Sequence, residues 1–467
     1  MRKQLIEPTL PSGFRDYLPS EAIVRSRMLS IIRSTFERYG FDSLETPGVE
    51  RREVLTGNDL DFKMILYDAQ TSIQRRGGDE PDTALRFDLT VPLARVVAAH
   101  SEIRRPFKRF QIGTVWRGER PQSGRYREFL QCDIDIVGSA SPLADAEIVA
   151  CMIETFRALN VPRFKMRINN RKILNGLASY AGFDPVQIPV VLRVIDKFRK
   201  IGRDAVLREL GKPLAQNNSA TAEGEEAEES ATGLGLSASV VERIGSFLDL
   251  SGSTDELLDR VANLFRGVAV AEDGVGELRA IVSSLRSMGI PEEHWILDHS
   301  IARGLGYYTG PVFETYLSDL PAIGSVCSGG RYDGLVARFS NQAVPATGAS
   351  IGIDRLCAAL TELHTLESPR TIAEAFVAIM DEAGLPDALA AAGELRAAGI
   401  RTILWLGDGG FKEQLAYAVA QEIPAVVIIG SDERSAGTVT VRNMRAREQQ
   451  TIPRAQLTEM VRNLLAK

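Results

Sequence analysis

From Glu21 to Tyr39 apolar residues recur at helical spacing (Ile23, Met28, Ile31, Ile32, Phe36), and Gly40 follows where the helix should stop. The short extended stretch FDSLETP comes next, so helix, glycine, strand and proline stand in an order used by some dimerising units. Residues 107 to 138 alternate in character as two strands do, and a long polar loop, RGERPQSGRYRE, joins them. Between Met166 and Ile296 the pattern turns mostly helical. Within it, residues 214 to 233 are acidic, serine-rich and almost free of large apolar groups, which suits a surface loop without a core. After Ser368 and Pro369, short apolar strands (AFVAIM, RTILWL, AVVIIG) alternate with helical stretches, the pattern of a separate α/β domain with a largely parallel sheet. No period of 20 to 50 residues recurs, so a solenoid is not expected.

Composition narrows the class. A chain of 467 residues, 44% apolar and 25% charged, is long enough for several domains. It has no apolar run that would span a bilayer and no apolar segment at its start that would act as a secretion signal, so a cytoplasmic protein is expected. Cys132, Cys151, Cys327 and Cys357 form no C-x-x-C pair, and His100, His294, His299 and His364 lack metal-ligand spacing. His299 reads as a packing residue, and no metal site is expected among side chains. The net charge of −6 argues against indiscriminate nucleic-acid binding, but the charge is unevenly spread.

Arg117, Glu119, Arg120, Arg125 and Arg127 crowd into eleven residues at the polar loop. Arg117 and Glu119, two apart at a strand end, offer a guanidinium for phosphate and a carboxylate for a metal or an amine on one side, as a nucleoside triphosphate would require. On the return strand Gln131, Asp133 and Asp135 alternate and so share one sheet face. Upstream, LRFDLTVPLAR supplies Arg86, Asp88 and Thr90. Downstream, ATGASIGIDRL brings Arg355 to the entry of a helix. The stretch ILDHSIARGLGYYTGPVFETY sets a single cation, Arg303, among glycines and the pair Tyr307 and Tyr308.

These segments resemble a known family. WRGERPQSGRYREFLQCDID is similar to motif 2 of the class II aminoacyl-tRNA synthetases, GASIGIDRL to motif 3, and the helix ending in YGFDSLETP to motif 1. ARGLGYYTGPVFE and SVCSGGRYDGL resemble the two signatures of the histidyl-tRNA synthetase family, and LRFDLTVPLAR resembles its eukaryote-like branch. The likeness runs from GFRDYLP at residue 13 to the last domain. It implies an α+β catalytic domain, an antiparallel sheet with flanking helices, from residues 1–169 and 294–366. A helical insertion at 170–293 and an α/β anticodon-binding domain at 371–467 complete the expected layout. The implied reaction activates L-histidine with ATP to histidyl-adenylate, then passes histidine to the 3′ end of tRNA(His), releasing AMP and pyrophosphate. The reaction further implies magnesium accompanying the ATP, and the resemblance implies a homodimer formed through motif 1.

By the same resemblance Asp88, Thr90 and Gln131 hold the α-amino group, while Asp135 and Tyr308 read the imidazole and Tyr307 walls it. Arg117 takes the α-phosphate, Glu119 the adenine amine or a magnesium-linked group, and Phe129 stacks on adenine. Arg125 and Arg355 take the outer phosphates, and Arg303 is the catalytic cation between carboxylate and phosphate. The chain departs from the family at Gly306, where an aspartate is usual. Two other readings remain: a catalytically inactive, synthetase-like regulatory subunit of ATP phosphoribosyltransferase, and a nucleotide- or RNA-binding module without catalysis, which would leave Asp135 and the tyrosine pair idle.

Overall fold

The computed structural model describes residues 6–57, 65–72, 81–120, 124–213, 234–301, 308–366 and 368–466. Arg303, Gly306, Tyr307 and the acidic stretch 214–233 lie outside the described residues. The chain divides into two compact units, residues 1–15 with 29–365 and residues 16–28 with 366–467.

The first unit is built on an eight-stranded sheet. Its strands are β1 (Asp42–Ser43), β2 (Phe107–Trp116), β3 (Glu128–Val137), β4 (Phe164–Asn170), β5 (Trp295–Leu297), β6 (Pro311–Leu317), β7 (Cys327–Arg331) and β8 (Ala346–Gly352). They lie in the order β1-β2-β3-β8-β7-β6-β4-β5. Every pairing is antiparallel except the two at the edges, β1 with β2 and β4 with β5. The expected strand FDSLETP shrinks to the two residues of β1, because Pro47 follows closely and cannot donate to a ladder. The helix α1 (Pro19–Arg38), whose residues from 29 onward belong to this unit, precedes it, buries Ile32 and Phe36 completely, and is followed by Gly40, whose φ of 73° suits the left-handed turn after a helix.

The helix α2 (Thr90–Ala99) enters the small core that also holds Leu55, Phe87 and Tyr332. The helix α3 (Pro142–Ala158) starts where the Ser141 hydroxyl accepts from the Leu143 N–H, with Pro142 pre-set for the first turn, and buries Ile148, Met152 and Phe156. The described residues between 171 and 293 are mostly helical, as the pattern implies, and the unit includes them. Their long last helix, α5 (Ala269–Ser287), packs against α3 and against α4 (Arg171–Ala181), so this part shares a core with the sheet. The helix α6 (Ile353–Glu362) leaves the end of β8.

The second unit carries a five-stranded sheet in the order 402–404, 375–377, 425–428, 438–443, 448–453. The first three strands are parallel and were legible as apolar runs. The last two, Thr438–Asn443 and Glu448–Pro453, form an antiparallel hairpin on one edge, so the sheet is mixed rather than largely parallel. Its core gathers Val377, Ala391, Leu395, Val427, Val441 and Leu457.

Candidate active site

Because side chains alternate along a strand, β3 places Phe129, Gln131, Asp133 and Asp135 on one face. The register carries that face across the sheet. Asp135 lies opposite Arg109 on β2 and Gly348 on β8, Asp133 opposite Gln111 and Ser350, and Gln131 opposite Gly113 and Gly352. Beyond β8 the same rows meet Ser328 and Gly330 on β7, then Glu314 on β6. The small residues leave room: a Cβ added at Gly348 would fall 2.1 Å from Asp135 Oδ1, and one at Gly330 would press the Tyr308 ring at 2.9 Å.

At one end of this face is a pocket of about 70 Å³, lined by Asp88, Thr90, Arg117, Gln131, Asp133, Asp135, Tyr308 and Tyr332 among others. Asp88, Asp133 and Asp135 are each only 2–3% exposed. Asp135 Oδ1 accepts from the Tyr332 hydroxyl, and its Oδ2 is 2.7 Å from Nη2 of the fully buried Arg109. That contact is an ion pair whose angle is poor for a hydrogen bond, since Oδ2 gains no donor by geometric criteria. Arg109 Nη2 also donates to the Leu89 carbonyl at 3.1 Å. Asp88 Oδ1 accepts from the Val91 N–H at 3.1 Å and steadies the start of α2. Gln131 Nε2 donates to Ser350 Oγ at 2.9 Å. Asp88 Oδ2, Asp133 Oδ1 and Gln131 Oε1 are buried with no hydrogen-bond partner among the described residues. Buried acceptors left unmet, at about 1–3 kcal/mol each, mark a place prepared for a donor-rich ligand.

Burial raises Asp88 to about 6 and Asp133 to about 7, against nearby guanidinium groups that oppose the shift. Asp135 is raised for the same reason, with Arg109 and the Tyr332 hydrogen bond opposing. The Tyr308 phenol is pushed well up by burial and then by the three aspartates, so it stays a neutral donor.

The pocket opens beside a cavity of about 500 Å³ lined by Arg117, Glu119, Arg125, Phe129, Glu314, Tyr316 and Arg355 among others, and Arg117, Gln131, Ser328 and Ser350 line both. Arg117 Nε donates to the Phe87 carbonyl at 3.1 Å, and its guanidinium lies 5.1 Å from the centre of the Phe129 ring. Arg355 leaves the first turn of α6 and donates to the Ser325 carbonyl at 2.7 Å, while its neighbour Asp354 accepts from the Leu130 N–H at 2.8 Å and ties the helix start to β3. Burial, then Arg125 and Arg117, lower the pKa of Arg355. Three guanidinium groups that repel one another around an open cavity are suited to a polyanion.

The structure thus brings together Asp88, Thr90, Arg117, Gln131, Asp135 and Tyr308 at one end, and Arg117, Glu119, Arg125, Phe129 and Arg355 at the other. Arg86, named from the sequence beside Asp88 and Thr90, lines neither cavity. Its Nε donates to the Thr114 carbonyl at 2.8 Å and its Nη1 to the Thr46 carbonyl at 2.7 Å, so it braces the fold. His299 is a packing residue, with Nε2 3.3 Å from the Leu248 carbonyl and its ring edge-on to Phe247. Arg109, Tyr332, Glu314 and Tyr316 were not singled out by sequence. Arg109 carried a faint signal, two residues before Gln111 and four before Gly113 on a strand facing β3. Tyr332, outside any strand, lay within the signature SVCSGGRYDGL, as Glu314 lay within ARGLGYYTGPVFE, but spacing gave neither a role.

Comparison with known proteins adds an independent line. The family model for histidyl-tRNA synthetase matches residues 13–356, and that for an anticodon binding domain matches residues 374–464. The histidine–tRNA ligase of Wolinella succinogenes is 43% identical over 451 residues, covering 95% of this chain and 96% of the relative. That of Clostridium tetani is 37% identical over 468 residues, covering 99% and 100%. The crystal structure of histidyl-tRNA synthetase from Nostoc sp. PCC 7120 superposes with a TM-score of 0.85 at 34% identity, covering 98% of this chain and all of that one. A Bacillus halodurans protein described as an ATP phosphoribosyltransferase regulatory subunit/histidyl-tRNA synthetase, 23% identical with a TM-score of 0.71, shares the fold.

Proposed function

The chain belongs to the histidyl-tRNA synthetase family, and on that footing we propose that it is a histidine–tRNA ligase working from the two-ended cleft just described. The observation that carries the reading is the placement of Arg117 in the walls of both the acidic pocket and the arginine-lined cavity. An amino acid held by its ammonium in the first directs its carboxylate toward a phosphate held in the second. A carboxylate oxygen then forms a bond to the α-phosphorus of ATP while the bond from that phosphorus to the β-bridging oxygen breaks, and pyrophosphate leaves. Histidine then passes from the adenylate to the 3′ end of tRNA(His), and AMP is released.

Asp88, Thr90 and Gln131 hold the α-ammonium, and the unmet Asp88 Oδ2 and Gln131 Oε1 are acceptors for it. Asp135, steadied by Tyr332 and Arg109, accepts from one ring nitrogen, and the neutral Tyr308 serves the other. An amino acid lacking these ring donors would leave buried groups unpaired, which is the basis of selection. Arg117 takes the α-phosphate, Arg125 and Arg355 the outer phosphates, Phe129 the adenine face and Glu119 its amine. Arg303 supplies the cation between the two anions in the transition state, and Tyr307 a wall of the ring pocket. Magnesium would ride on the outer phosphates. Among the described residues no three metal-binding side chains cluster, but Glu119 and Glu314 both line the cavity.

The domain limits 1–169 with 294–366, 170–293 and 371–467, the homodimer, tRNA(His) and a cytoplasmic setting are part of this proposal. No described helix is long and apolar enough to cross a membrane. The inactive regulatory subunit is the weaker reading, since this chain keeps the carboxylates and arginines and carries the anticodon-binding match. The test is exchange of pyrophosphate into ATP. It should require histidine, and a chain ending near Ser368 should retain it while charging of tRNA falls sharply, provided sedimentation shows an intact dimer. Exchange indifferent to histidine would overturn the proposal.

A further inference from the structure

The resemblance gives Asp133 no task, yet it is 3% exposed, lines the acidic pocket and has no partner for Oδ1 among the described residues. A carboxylate that only supported the sheet would be expected to have both oxygens met, since an orphaned buried acceptor is costly. Its other contact is with Ser350, whose Oγ accepts from Gln131 and so has its own proton free to donate to Asp133. Asp133 is therefore linked through one serine to the Gln131 amide at the ammonium end of the pocket.

The charges around it do not balance. Asp88, at the head of α2, and Asp135, next along the face of β3, stand with Asp133 in one buried pocket. Among the described residues, Arg109 on β2 is the one cation in ion-pair contact with any of the three, and its partner is Asp135. Arg86 lies behind Gly113 with its N–H groups given to backbone carbonyls, and Arg117 stands between this pocket and the larger cavity. Tyr308 faces the pocket as a neutral phenol, Tyr332 gives its hydroxyl to Asp135, and Thr90 and Ser350 line the pocket with hydroxyls. Three carboxylates against one buried guanidinium cannot all ionise cheaply, so one retains a proton until another cation arrives.

We propose that Asp133 is a further amino-acid-binding residue, which receives the substrate's α-ammonium together with Asp88 and gives up a shared proton when that ammonium enters. The claim rests on the reading of this pocket as the histidine site. The raised values of Asp133, about 7, and Asp88, about 6, place the shared proton within reach of neutral solution.

The experiment is calorimetric titration of histidine into the full-length protein around neutral pH, in buffers of different ionisation heat, with Asp133→Asn and Asp133→Glu beside it. The wild type should release protons on binding, more as the solution is made mildly acidic. Asp133→Asn should bind histidine roughly tenfold or more weakly and release fewer protons, and Asp133→Glu should keep the release. Taking the difference between variant and wild type removes the titration of histidine's own ring. Absence of proton release by the wild type at every pH tested would overturn the proposal, as would an asparagine variant with unchanged Kd and unchanged release. Should the wild type bind no histidine and show exchange indifferent to it, the histidine reading itself falls, an outcome separable from failure of Asp133 alone.

Discussion

At the proposed amino-acid end of the cleft, Asp88, Asp133 and Asp135 are almost completely buried, only Asp135 has an ion pair, and each keeps an oxygen that meets no donor among the described residues. At the nucleotide end, Arg117, Arg125 and Arg355 border a cavity about seven times larger, and Arg125 is exposed. One sheet supplies both ends and arranges opposite charge in opposite ways. The small buried pocket uses desolvation to make each acceptor selective, whereas the wide open one uses excess positive charge suited to a flexible polyanion.

The largest effect is expected from the cation proposed to stand between the two anions. Arg303→Ala should slow adenylate formation about a thousandfold or more in a single-turnover assay while ATP binding stays nearly unchanged, because the lost interaction belongs to the transition state. Near wild-type activation would remove Arg303 from the role. Next, Asp135→Ala should raise KM for histidine about a hundredfold and leave KM for ATP nearly unchanged. It should also destabilise the fold by about 3–5 kcal/mol, since Arg109 would stay buried without its carboxylate. Steady-state kinetics and denaturant unfolding read the two parts. Arg355→Ala should do the reverse at smaller scale, raising KM for ATP about tenfold with that for histidine unchanged, because the outer phosphates it is proposed to hold are shared with Arg125. Equal change in both constants for either variant would erase the distinction between the ends.

The smallest effect is on stability against pH. The folded values of Asp88 and Asp133, about 6 and about 7, are above the ordinary 3.8, so between those limits the folded chain holds more protons than the unfolded one. Stability from these groups is present at low pH and lost as pH rises through the folded values. The Tm of the ligand-free protein should therefore fall by a few degrees relative to Asp133→Asn, about 2–4 °C, between mildly acidic and neutral solution. A constant difference between the two melting curves would show that Asp133 does not titrate there.

Much of this was legible beforehand because period-two spacing fixes a sheet face whatever the fold around it. Gln131, Asp133 and Asp135 had to look the same way once β3 was a strand, and the arginines of the loop had to lie at its open end. What could not be read was which partner each charge would meet. Arg86 and Arg109 are both arginines near strands, and only the tertiary structure turns one onto backbone carbonyls and the other under Asp135. The edge hairpin of the second unit escaped because Glu448–Pro453 is an exposed polar strand with one buried side chain, Ile452. Its order comes from pairing with Thr438–Asn443, which leaves little mark in its own sequence.

The division of labour along the cleft is tested most directly by titrating histidine and ATP separately, at equilibrium, into Asp135→Asn and Arg355→Ala. The asparagine variant should lose histidine and keep ATP, and the alanine variant should lose ATP and keep histidine. If either variant weakens both ligands equally, the two ends are one site and the account is wrong.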